Sequence, residues 1–151
     1  MNMYKTVYIH YGDDAFHTPD PIVNRDHFTK PKGGLWASRK YDEEMTWKRW
    51  CEQENFWLDR LDRSFEFTLK DTARILVIDD EDQLDNLPKL DIYRKESDLS
   101  ECHLDFETLK KQYDAIELTN IQDLYWRLYG WDCNSILIMN PDIVCVCPKE
   151  G

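Results

Sequence analysis

Tyr113-Asp114-Ala115-Ile116-Glu117-Leu118-Thr119 reads as a β-strand, and the rest of the chain can be arranged around it. Side chains alternate across a strand, so Asp114, Ile116 and Leu118 share one face, and Tyr113, Ala115, Glu117 and Thr119 share the other. The Ile116/Leu118 face suits a core. Glutamate is unfavoured in mid-strand, which puts Glu117 either on a wet face, paired with Lys110, Lys111 or another base, or in a site.

Working outward, Asp105 opens a helix through Leu109 and Lys110 that leads into this strand. Leu124, Tyr125 and Leu128 give a further helical turn or two before Gly130. Residues 135–139 form an apolar strand stopped by Asn140-Pro141-Asp142, and 143–147 a last strand hairpin-paired with it. Upstream, Phe65, Phe67 and Leu69 alternate with Glu66 and Thr68, while 73–78 is an almost unbroken apolar run of the kind found in a buried central strand. Lys70-Asp71-Thr72 between them suggests a second hairpin. Asp79-Asp80-Glu81-Asp82 reads as a solvated helix start, and 83–103 as a short helix followed by a polar connection.

Asp42 is placed to cap a helix over 43–55, in which Trp47, Trp50, Cys51 and Glu54 fall at helical spacing, so that its tryptophans read as core. Residues 33–38 form a short strand with Trp36 and Ser38 on one face, and Gly33 and Gly34 at its start admit close approach of another backbone or a ligand. Residues 4–11 alternate as the first strand, carrying Tyr8 and His10 on one face and ending at Gly12. The intervening 12–32 segment, which holds His17 and His27, is long for a connection in a compact domain, and such loops are commonly functional. The element order is an α+β pattern in a single domain, 1–151, without the regular alternation of a doubly wound sheet.

Composition sets outer bounds. The formal net charge of −11 argues against direct nucleic-acid binding, which relies on Lys and Arg, and leaves open a small ligand or a basic protein partner. For such a partner Trp47, Trp57, Trp126 and Trp131 are the candidate anchors. No apolar run is long enough to span a bilayer and no signal peptide is evident, so a cytoplasmic location is expected, with no membrane partner. The five cysteines fit neither a disulfide framework nor a zinc spacing. Cys51 and Cys133 read as reduced core thiols, and Cys145 and Cys147 share a face of the last strand.

Three remote strands thus carry His10, Ser38 (with Trp36) and Glu117, each among aromatics. If these faces converge, they line a cleft able to hold a ribose, with Tyr8, Tyr11 and Trp36 free to stack on a planar ring. In that order, Tyr8-Ile9-His10-Tyr11-Gly12, Gly34-Leu35-Trp36-Ala37-Ser38 and Ala115-Ile116-Glu117 resemble the ADP-ribosyltransferase superfamily. The resemblance implies a split two-sheet fold, mostly antiparallel with a few flanking helices, and NAD as substrate between the sheets. By it His10, Tyr11, Trp36 and Ser38 bind NAD, and Glu117 is catalytic in ADP-ribosyl transfer or NAD glycohydrolysis. Of a Ser-Thr-Ser triplet only Ser38 is present. Ala115 stands where arginine-modifying members carry a second acidic residue or glutamine, which points away from arginine as acceptor.

Overall fold

The computed structural model describes residues 5–25, 29–41, 46–90, 102–128 and 131–148. Its strands are β1 (Tyr8–Tyr11), β2 (Leu35–Arg39), β3 (Ser64–Leu69), β4 (Ile75–Ile78), β5 (Ala115–Leu118), β6 (Ser135–Ile138) and β7 (Val144–Val146). They form a seven-stranded sheet in the order β4-β5-β6-β2-β1-β3-β7. Every pair is antiparallel except β4 with β5. With helices α1 (Trp47–Glu54), α2 (Phe106–Gln112) and α3 (Ile121–Leu124), the fold is of the expected mixed kind: a mostly antiparallel sheet with few helices. Where two sheets were expected, the ladder runs on through β2, whose Leu35–Ala37 pair with β6 and whose Ser38 and Arg39 pair with β1. Among the described residues no helix is long and apolar enough to cross a membrane.

Neither expected hairpin forms. β3 is flanked by β1 and β7, so the chain leaves it for the far edge, where β4 pairs in parallel with β5. A parallel pair needs a crossover, and the long 79–114 connection with α2 supplies one. The apolar 75–78 run therefore makes an edge strand and not a central one, with Val77 41% exposed. Likewise β6 lies between β5 and β2, while β7 is carried away by the Pro141–Ile143 turn to pair with β3.

Both sheet faces are packed. Ile116, Leu118 and Leu137 join Phe106, Leu109, Leu124 and Trp131 in one core; Tyr8, Leu35, Ala37, Phe65, Phe67, Ala115 and Ile136 form the other. All four residues of β5 are consequently buried, and a wet face for Glu117 is ruled out. α1 begins later than expected because Thr46 caps it, its hydroxyl accepting from the Arg49 N–H. The expected cap Asp42, along with His27 and most of the 83–103 connection, lies outside the described residues. The acidic run starts a 3-10 turn, Glu81–Asn86, in which Asp80 and Gln83 form a capping box. As read from the sequence, Asp105 caps α2.

The glycines before β2 do admit another backbone. Gly33 has φ +81°, and a Cβ there would fall 2.1 Å from the Pro21 carbonyl oxygen; Gly34 N–H donates to the Asp20 carbonyl at 2.9 Å. The long 12–32 segment is thereby fastened near its middle, at Asp20 and Pro21, to the start of β2.

Asp114, placed by alternation on the core face, precedes β5 and is buried as a polar hub. Its carboxylate accepts from the Arg74 backbone N–H (2.8 Å), the Arg74 guanidinium and Asn140 Nδ2. Burial by itself would raise this carboxyl, but the Arg74 and Asn140 bonds overcome it and hold it below the usual carboxylate range. The folded state therefore binds the proton less readily than the unfolded chain. The stabilisation is present above about pH 3.9 and is lost as pH falls through the depressed native value. Asp114→Asn is expected to lose about 1–3 kcal/mol at neutral pH, and the difference from wild type is expected to shrink at about pH 3. Urea unfolding at the two pH values measures this, and an equal difference at both would rule the carboxylate out as the cause.

Candidate functional site

Cα partners in neighbouring strands point to one face, so the register assigns each candidate its side. Glu117 opposes Ile136, Ile136 opposes Ala37, and Arg39 opposes Tyr8, which places Tyr8, Arg39 and Glu117 together. Ile9 opposes Ser38, and Trp36 opposes Leu137, so Ser38 and Trp36 are on the reverse face. The expected meeting of His10, Ser38 and Glu117 around one space does not occur. One residue of offset separates Ser38 from the Glu117 face, and the β1 residue that reaches Glu117 is Tyr8, while His10, two positions on, turns to the Trp36 carbonyl and Asp13.

Glu117 is fully engaged. Its Oε1 accepts from the Tyr8 hydroxyl at 3.0 Å and from Arg39 Nη2 at 3.1 Å, and its Oε2 accepts from Arg39 Nε at 2.8 Å. This is a bidentate fork from a guanidinium whose side chain is 45% exposed onto a carboxylate side chain only 4% exposed. Burial, then the adjacent carboxylate, push the Tyr8 phenol above its ordinary range, while the bond to Glu117 strengthens the hold of Arg39 on its proton. Beside the pair lies a polar cleft of about 200 Å³, lined also by Thr119, Asn134 and Ser135. Ser38 is taken up by the fold. Its hydroxyl donates to the Asn134 carbonyl at 3.3 Å and accepts from the Trp47 N–H at 3.1 Å, fixing the start of α1.

His10 sits where the β1–β2 ladder stops. The Trp36 carbonyl, which the next rung would use, lies 2.6 Å from His10 Nδ1, and Asp13 Oδ2 lies 3.1 Å from Nε2. The ring leans on Phe65, with centroids 5.1 Å apart. Both ring nitrogens are thus committed to holding the point at which the two strands separate.

That separation opens an aromatic cavity of about 270 Å³. His10, Tyr11 and Trp36 line it, as do Trp47, Trp57 and Trp131. Its walls are braced from behind. Trp131 meets Trp36 edge-to-face (4.8 Å), stacks on Phe106 and donates its indole N–H to the Thr29 carbonyl at 3.0 Å. Trp57 meets Trp47 edge-on at 5.8 Å. It has a left-handed backbone, φ +62°, with its indole against Gly12, where a Cβ would fall 2.5 Å from the ring. A tryptophan held in that conformation is costly and persists only where its surroundings fix it.

Two charged groups complete the lining, Lys30 and Asp132. The Lys30 ammonium lies 5.1 Å from the Trp36 ring centroid. Burial lowers its affinity for the proton, with Asp132 and Cys133 opposing that shift. The Cys133 thiol, also in the wall, is pushed up to about 12, chiefly by burial. Among the described residues no group of His, Cys, Asp and Glu could hold a metal ion.

The cavity unites His10, Tyr11 and Trp36 but excludes Ser38 and Glu117, and Tyr8 belongs to the Glu117 cluster. Trp47, expected in the core, is a half-buried wall. Trp131, expected as a surface anchor, is almost wholly buried, whereas Trp126 is exposed. Sequence reading missed Lys30, Asp132, Trp57 and Trp131 as lining residues. The available signal was six tryptophans in a chain of 151, five of them outside the first two strands. Comparison with protein-family models, with curated proteins and with solved structures finds no match to this chain.

Proposed function

We propose that this protein binds a ligand through a flat, neutral heterocycle inserted among Trp36, Trp47, Trp57 and Trp131. The observation that carries this reading is the convergence of four indoles on one cavity, each braced by other parts of the fold. Indole faces and edges suit a planar ring. Lys30 and Asp132 put a donor cation and an acceptor anion in the same lining, which favours a neutral ring whose edge both accepts and donates hydrogen bonds. Nucleobases and the carboxamide of free nicotinamide meet that requirement.

At about 270 Å³ the cavity lies just under the range of drug-sized pockets, roughly 300–1,000 Å³, so it takes one ring and not a dinucleotide. For NAD, the ligand expected from the sequence resemblance, Lys30 opposes the cationic nicotinamide ring and leaves the adenine end as the one inserted. ADP-ribosyl transfer at Glu117 is the narrower reading. It requires that carboxylate to exchange Arg39 for a ribose hydroxyl, and its measurement is nicotinamide release from NAD, abolished in Glu117→Gln.

The ring reading is tested by titrating the intrinsic tryptophan fluorescence with adenine, guanine, cytosine, nicotinamide and NAD. Saturable quenching by at least one neutral ring, weakened about tenfold in Trp57→Leu, is expected. A flat response to the whole panel would overturn it.

A further inference from the structure

A second depression adjoins the aromatic cavity, and its chemistry is the opposite. It has a volume of about 390 Å³, and Ile9 and Tyr11 line both spaces. Of its nine lining residues four are cationic, Arg39, Lys40, Lys48 and Arg49, and one, Glu52, is acidic. In a chain with a net charge of −11, this lining is locally basic: with Arg39 and Lys40 paired to Glu117 and Glu66, Lys48 and Arg49 still outnumber Glu52, and a local excess of cations concentrates anions.

The four cations are not equivalent. Arg39 is held by Glu117 and Lys40 by Glu66 at 2.9 Å, which fixes both in place and offsets much of their charge. Lys48 and Arg49 stand exposed on the first turn of α1, and among the described residues neither forms an ion pair. Two tethered cations and two open ones therefore border the same space, from β2 on one side and α1 on the other.

We propose that the ligand is a nucleotide, with its base in the tryptophan-lined cavity and its phosphate in the groove bordered by Lys48 and Arg49. The inference rests on the ring-binding reading above and names the rest of the molecule. The cavity is too small for more than the ring, so the remainder must leave through an open side, and the adjoining groove is basic. A flat neutral ring joined to an anion by a short polar connector describes a nucleoside phosphate. Tyr11 lies between the two spaces, offering ring surface to the base and a hydroxyl to the sugar. Phosphate oxygens gain charge-assisted hydrogen bonds from ammonium and guanidinium groups, and Arg49 supplies the planar fork.

The test uses the whole chain, with calorimetric binding of each common nucleoside and of its 5′-monophosphate. For whichever base binds, the monophosphate is expected to bind about tenfold tighter at low salt, with that advantage shrinking as salt rises. The double variant Lys48→Ser/Arg49→Ser is expected to lose most of the advantage while its nucleoside affinity stays at the wild-type value. Both positions are exposed, and an unchanged far-ultraviolet circular dichroism spectrum checks the fold. Equal affinity for nucleoside and monophosphate, or a phosphate advantage that survives in the double variant, would overturn the groove assignment and leave ring binding intact. Absence of binding by every nucleoside and nucleotide would overturn the nucleotide assignment, and the ring reading falls with it only if the free bases and nicotinamide also give no response.

Discussion

Arg39→Met is expected to lower the unfolding free energy by about 3–5 kcal/mol, and Glu117→Gln by only about 1–2 kcal/mol. The two substitutions break the same ion pair, and its geometry makes them unequal. The Glu117 side chain is 4% exposed and that of Arg39 is 45% exposed. Without Arg39, a charged carboxylate stays buried on the sheet face of Tyr8, Ala37 and Ile136, at the edge of the small polar cleft, and the Tyr8 hydroxyl is its remaining partner among the described residues. Without the Glu117 charge, Arg39 turns to water at modest cost, and the amide oxygen still accepts from Tyr8. Methionine at 39 keeps much of the apolar stem, so the loss reports the uncompensated charge and not a missing side chain. Urea denaturation of both variants measures the asymmetry. Equal losses would mean that the fork contributes through packing alone, and a larger loss in Glu117→Gln would reverse the account. The result also bears on the catalytic reading: a carboxylate on which the fold depends this heavily is costly to release to a substrate.

Which parts of this were legible in the sequence follows from how local their causes are. The pattern in 113–119 gave a strand, observed as Ala115–Leu118, and put Ile116 and Leu118 in a core, because alternation is a property of the strand alone. That the opposite face packs against a second core was not legible there. The Asp105 cap and the Gly33-Gly34 close approach were legible for the same reason, since each is written in a few adjacent residues. Strand partners were not. Ile75–Ile78 has the composition of a central strand, and only the parallel crossover to β5 sends it to an edge. The buried state of Glu117 depended on Arg39, 78 positions away, and on Tyr8, 109 away, and no local pattern announces such partners. Ser38 fell on the wrong side because parity was compared within strands, whereas the shared face depends on register between them. His10, Tyr11 and Trp36 were picked out for polar and aromatic chemistry and do share a cavity, but the other walls come from α1, from the turn after it and from Trp131. Trp47 shows the limit clearly: helical spacing marks an apolar face, and a cavity wall has the same signature as a core.

Trp131 is where fold and cavity depend on one side chain, and Trp131→Ala is expected to lower stability by about 3–5 kcal/mol while lowering affinity for the ring ligand at least tenfold. The indole is almost fully buried in the core that contains Phe106 and Leu137, so truncation removes contacts with α2 and with the sheet together. It also removes the edge-to-face support of Trp36 and the N–H bond that ties Thr29, next to Lys30, to the cavity wall. Trp131→Phe separates these contributions: a smaller ring retains stacking on Phe106 but has no donor for the Thr29 carbonyl, and about 1 kcal/mol of the loss should remain. Trp57→Leu completes the comparison from the other side. Trp57 is only partly buried and sits in a left-handed backbone, so its replacement should weaken ligand binding with little change in stability. Thermal unfolding and ligand titration on the three variants together decide between two arrangements. If affinity follows stability in all three, the indoles are one extended core and the cavity is a packing gap. If Trp57→Leu loses affinity at full stability while Trp131→Ala loses both, the tryptophans divide as the geometry divides them, with Trp131 as the frame and Trp57 as the face presented to the ligand.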